Sequence, residues 1–229
     1  MATTVTFQPN AASGKDALIE HIQVDPSGDN TNFGNFASFE AMAWTWSNDP
    51  GIIRSLMEFD LSSIPQNATV TDARLSLYND PTSGENAGQH SSLSGSNVAV
   101  LQRITSSWSE STVTWTNQPP TTSLNQITLP QSTSAHQDYI NIDVTTVAND
   151  MVQNPASNHG FMIKLVTESY WRAMIFASSD NANAAKRPSI TVTYTVPPPL
   201  PVPAISTWGM IFLSVMVVGM GIVFIKRSV

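Results

Sequence analysis

The 229 residues carry 10 Lys and Arg against 17 Asp and Glu, a formal net charge of -7, with 41% hydrophobic residues and no Cys. The acidic balance excludes a nucleic-acid backbone as partner, since Lys226 and Arg227 take two of the ten cations at the far end. Lack of Cys excludes disulfides, thiolate zinc and a cysteine nucleophile, and the spread of aromatic and β-branched residues excludes disorder, collagen and coiled coil.

Met1 to Pro9 has neither a basic start nor an apolar run, so no secretory signal peptide is visible. Alternation of apolar and polar residues then predicts strands at 18–24, 36–46, 53–59, 70–78, 98–104, 139–144, 161–166, 174–177 and 189–195. The last is the clearest, with Ile190, Val192 and Tyr194 on one face and Thr191 and Thr193 on the other. Asp25-Pro-Ser-Gly, Asn48-Asp-Pro-Gly51, Asn79-Asp-Pro-Thr-Ser-Gly84 and Gln118-Pro-Pro120 read as turns. One helix is predicted over 144–153, with Val144, Val147, Ala148 and Met151 on one face and Asp143 or Thr145 capping it. Many short strands with almost no helix predict an all-β fold, an antiparallel β-sandwich of jelly-roll type with one short helix, over residues 1–196.

Beyond it, residues 197–204 form a Pro-rich linker, whose prolines impose an extended polyproline rod. Residues 205–225 contain no charge, follow with Trp208 near the entry, and end in Lys226-Arg227. At ~1.5 Å per residue this run spans a hydrocarbon core of ~30 Å, predicting a membrane helix that leaves the preceding domain extracellular or at the cell surface. Gly209, Gly219 and Gly221 permit helices to approach closely, so self-association through the same segment is open.

Sugar rings stack on flat aromatic faces while their hydroxyls pair with planar polar groups, which directs attention to two places. Trp44 and Trp46 share one face of a predicted strand, with Asn48 and Asp49 nearby; Tyr170, Trp171 and Arg172 form a second group. For Trp44 and Trp46 an interior position is the alternative, because large aromatics dominate sandwich cores. Asp25, Asp29, Asn30 and Asn32 crowd oxygen ligands into one loop, a set suited to Ca2+, although an Asx-rich turn uses the same letters. Glu58 and Asp60 are the one carboxylate pair spaced for glycosidic chemistry. An Asp in that place more commonly accepts hydrogen bonds from the amides that follow it. No nucleophile elbow, zinc helix or phosphate loop occurs, and His21, His90, His136 and His159 are scattered singly, so no enzyme is expected.

Thr6-Phe-Gln-Pro9, Gly14-Lys-Asp16, Asn30-Thr-Asn-Phe-Gly34, Phe59-Asp-Leu-Ser-Ser-Ile-Pro65, Ala73-Arg-Leu-Ser-Leu-Tyr78, Trp108-Ser-Glu-Ser-Thr-Val-Thr-Trp115, Ile142-Asp-Val-Thr145 and Arg187-Pro188 recur in order across the domain. Together they resemble the DNRLRE domain, a β-sandwich grouped with carbohydrate-binding modules and related to archaeal disaggregatase. The eponymous segment is approximated by Ile53-Arg-Ser-Leu-Met-Glu58. The tail from Val202 is similar to bacterial C-terminal sorting signals of the IPTL and PEP type. These resemblances imply a non-catalytic surface module for polysaccharide. A structural subunit of a surface layer or filament, built on bundled C-terminal helices, is the alternative, and a glycan-cleaving enzyme the second.

Overall fold

The computed structural model describes residues 1–198. Its first compact unit is Met1–Val196. The second, Pro197–Val229, falls almost wholly outside the described residues, and with it the expected span at 205–225. Among the described residues no helix is long and apolar enough to cross a membrane.

Among the described residues twelve strands form in the order β1 (Ala2–Phe7), β2 (Asp16–Ile22), β3 (Ser38–Trp46), β4 (Asp49–Met57), β5 (Thr69–Leu77), β6 (Ser91–Ser92), β7 (Ala99–Ile104), β8 (Thr121–Leu129), β9 (Tyr139–Asp143), β10 (Phe161–Leu165), β11 (Arg172–Ala177) and β12 (Ser189–Thr195). One helix, α1 (Thr145–Gln153), lies between β9 and β10. Every pairing between these strands is antiparallel, in a four-stranded sheet ordered β1-β12-β5-β9 and an eight-stranded sheet ordered β6-β11-β3-β4-β10-β7-β8, to which β2 adds through β4. This is a β-sandwich-like fold.

The alternation that predicts the strands also sorts the core. Val70, Ala73, Leu75, Leu77, Ile190 and Val192 from the smaller sheet meet Phe39, Ala41, Ala43, Leu101, Phe161, Ile163 and Phe176 from the larger, and α1 adds Val147, Ala148, Met151 and Val152. Phe39, Phe161 and Phe176 are among the largest fully buried side chains. Each contributes roughly 1.5–3 kcal/mol of burial free energy. Two smaller apolar clusters lie apart from this core, and β3 supplies one of them from its alternate residue Met42.

Three observed strands were not expected. In β1 only Val5 and Phe7 alternate with threonines, whose hydroxyls pair across the edge as Thr4–Thr193 and Thr6–Thr191, each at 2.9 Å. β8 is polar and irregular, with Asn125 at φ 58°, and β6 has two residues. The expected turn at Asn48-Asp-Pro-Gly51 is also displaced: Ser47 and Asn48, at φ 53° and 68°, make the turn, and Asp49, Pro50 and Gly51 already belong to β4. Two consecutive positive φ values give the tight hairpin whose twist matches its strands. α1 begins at Thr145, whose amide donates to Asp143 Oδ1 at 3.0 Å.

Candidate functional site

The β3–β4 hairpin sets Trp44 opposite Gly51 and Trp46 opposite Asp49. Both indoles are half-buried and pack on the cluster of Leu18, Met42, Ile53, Ala173 and Ile175. Gly51 makes this packing possible, because a Cβ there would lie 2.7 Å from Trp46 Cζ3. The polar edge of Trp46 is fixed as well, with Nε1 donating to Glu85 Oε2 at 2.9 Å.

β11 runs alongside β3, pairing Arg172 with Ala43, so the residues before it arrive beside the hairpin. Trp171 has φ 67° and is 47% exposed; Tyr170 is 36% exposed. The Trp171 indole donates to Thr45 Oγ1 at 3.2 Å, and its carbonyl accepts from Ser91 Oγ at 2.9 Å and Leu93 N at 3.2 Å. Thr45 stands between Trp44 and Trp46, so by strand alternation its side chain, and the Trp171 indole bonded to it, lie on the face of β3 opposite to those two indoles; the two groups meet the hairpin from its two sides. Their register could be inferred only from knowing that β11 pairs with β3.

The polar residues of these groups divide by role. Arg172 donates to Ser94 Oγ at 3.1 Å, Ser94 O at 3.0 Å and Ser96 O at 3.3 Å, clamping the 92–96 loop. Asp49 accepts from Val24 N at 2.9 Å and Asp25 N at 3.2 Å. Asn48 stands exposed at the tip.

Trp108 and Trp115 occupy a different setting, against Ala17, Ile19, Leu56, Ile104, Val113 and Met162. Trp108 Nε1 donates to His159 O at 2.9 Å and Lys15 Nζ lies 4.7 Å from its ring centre. The Arg54 guanidinium lies 4.6 Å from the Trp115 ring, held there by two bonds to the Glu168 carboxylate, and His21 stacks on the same indole at 5.3 Å. A Trp-Ser-Glu to Thr-Trp string thus builds a packed loop.

The acidic residues follow the same division. Asp60 accepts from Ser62 N at 2.9 Å, and Ser62, first through its hydroxyl and then through this amide, holds the carboxyl below the ordinary Asp range. Glu58 is bridged by Lys15 Nζ at 2.6 Å. Both lie beyond the end of β4 and border a cleft of about 160 Å3, below the ~300 Å3 at which ligand sites begin. In the Asx-rich loop, Asp25 caps Ser27 N at 3.1 Å, Asp29 meets His21 Nδ1 at 2.9 Å, Asn32 donates to Glu110 O and Val113 O, and Asn30 is exposed. A closer convergence of carboxylates involves Asp16, Glu110 and Asp180. Asp16 and Glu110 stand in quoted motif strings 94 residues apart, which alone gave no sign that they meet.

Behind the hairpin, fully buried Glu40 accepts from Ser38 and Ser83 through Oε1, while Oε2 has no partner. Burial, and then the nearby Glu85 carboxylate, push its pKa from 4.5 up to about 8.

The β-sandwich-like fold thus fixes the indole N–H groups of Trp46 and Trp171 and leaves Trp171 about half exposed beside the hairpin. The sequence profile of carbohydrate-binding module family 96 matches residues 18–194, and the chain belongs to that family of non-catalytic modules. No curated protein matches the chain.

Proposed function

We propose that the chain is a DNRLRE-type, jelly-roll module that binds polysaccharide through Trp171 and Tyr170, with Asn48 at the tip of the adjoining hairpin and Trp44 and Trp46 on the hairpin's other face as a second contact. The observation that carries this reading is the exposure of Trp171 with its indole N–H tied to Thr45. A ring tethered by its N–H and about half exposed loses little entropy when a sugar stacks on it. Arg172 and Asp49 act by positioning the loops around this surface. The hydrophobic run at 205–225 and its sorting-type tail anchor the module to the membrane at the cell surface.

Electrophoresis through gels containing acidic or neutral polysaccharides tests the reading. The wild type is retarded by at least one polymer, and Trp171→Ala loses roughly 1–3 kcal/mol of binding, the scale of one interface anchor. Equal retardation of wild type and Trp171→Ala would refute this surface; failure on every polymer would favour the structural-subunit alternative.

A further inference from the structure

We propose that Asp16, Glu110 and Asp180, together with the Ser179 hydroxyl, form a calcium site that ties three distant segments of the domain together. Asp16 opens β2, Glu110 belongs to the loop between β7 and β8, and Asp180 follows β11. One carboxylate oxygen from each lies within 4.8 Å of the other two. Three oxygens at most 4.8 Å apart have a common centre no more than about 2.8 Å from each, so closure by a few tenths of an ångström brings all three to the roughly 2.3–2.6 Å of a Ca–O bond. The site is also linked through the backbone: Asp16 N donates to Glu110 Oε1 at 2.9 Å, and Ser179 N donates to Asp16 Oδ2 at 3.0 Å.

These anions lack a countercharge of their own. Among the described residues none of the three takes part in a salt bridge; of the two cations near enough to act on them, Lys15 is turned to Glu58 and Trp108, and Arg187 donates its Nε to Asn181 O. Asp16 is only 3% exposed. A buried carboxylate facing two others is costly unless a cation or proton joins it.

The second observation is independent of the acids. Ser179 is fully buried, and its Oγ has no hydrogen-bond partner. Buried hydroxyls are almost always bonded. This one lies beside Asp16, close enough to oppose the rise that burial imposes on that carboxyl. Gly14 leaves room for it, since a Cβ there would fall 1.9 Å from Ser179 Oγ. An unused lone pair beside three carboxylates completes an all-oxygen set. Such a set suits a hard cation; it offers no nitrogen or sulfur to zinc, and its scattered origin suits the adaptable sphere of Ca2+ better than the strict octahedron of Mg2+. The consequence is mechanical: the ion would fasten the loop that carries Trp108 and Trp115 to β2 and to the segment after β11.

The test uses the full chain in detergent, stripped with EDTA and titrated with CaCl2, reading bound calcium by equilibrium dialysis and Tm by intrinsic fluorescence. We expect one Ca2+ at this site and a rise in Tm of roughly 5 °C or more at about 100 times Kd. Asp180→Asn and Glu110→Gln should each remove that response, while Asp29→Asn should retain it. No calcium bound by the wild type overturns the site, whatever the variants do. So does a response that survives both Asp180→Asn and Glu110→Gln, or one lost in Asp29→Asn alone, which would place the ion in the 25–32 loop. The outcome is separable from glycan binding, since it needs no polysaccharide.

Discussion

Two regions of this domain use the same residue type for opposite ends. In the loop between β7 and β8, Trp108 and Trp115 have Lys15, Arg54 and His21 against their rings and an apolar cluster beneath them. Beside the β3–β4 hairpin, Trp46 and Trp171 are held by their N–H edges, on Glu85 and Thr45, and Trp171 leaves nearly half its surface to solvent. The N–H edge does not separate the two settings, since Trp108 also donates to His159 O; what differs is the cation over the ring at Trp108 and Trp115 and the 47% exposure of Trp171. Rings covered by cations contribute to stability; a tethered ring left about half exposed prepares a surface for a ligand.

The comparison breaks most visibly at the support behind the hairpin. Glu40, raised to about 8, binds a proton in the folded state that the unfolded chain releases near 4.5. Its contribution to stability is complete below about 4.5 and lost as pH rises through about 8. Glu40→Gln, which mimics the protonated acid, should match the wild type at pH 4.5 and exceed it at pH 8.5 by a few kcal/mol, on the order set by the size of the shift. Urea unfolding at the two pH values decides it, and parallel pH profiles of the two proteins would show that Glu40 is ionised in the fold.

A comparable loss is expected in the packing loop, where Trp115→Ala should reduce stability by about 2–4 kcal/mol in urea unfolding while the folded fraction keeps its polysaccharide affinity. Trp171→Ala should do the reverse, with stability changed by less than about 1 kcal/mol. If both variants lost stability alone, the distinction between the regions would fail. The smallest effect belongs to Glu58→Gln. Breaking its partly exposed pair with Lys15 should cost less than about 1 kcal/mol, and neither protein should release reducing ends from polysaccharide. Release by the wild type that vanished in the variant would make the domain an enzyme.

The sequence was most legible where one physical rule governs. Strict alternation predicts β12 to the residue, and the apolar face of α1 predicts that helix to within one position. It was least legible where side chains stand in for apolar content, as in the threonine-paired β1, or where Pro50 and Gly51 read as a turn yet sit in β4 beside a glycine-free turn at Ser47-Asn48. For the proposed site, residue type alone points to Trp44, Trp46 and Trp171 as candidates. It could not show that β11 lies against β3, that Arg172 is spent on Ser94 and Ser96, or that Asp16, Glu110 and Asp180 converge, because each depends on pairing between segments far apart in the chain.

The most direct test of the contrast is to follow the indole N–H resonances of 15N-labelled protein during titration with the polysaccharide that retards it most in gels. The resonance of Trp171 should shift and saturate with the binding isotherm, accompanied by Trp44 or Trp46, while those of Trp108 and Trp115 stay in place. Shifts confined to Trp108 and Trp115, with Trp171 unmoved, would contradict the account.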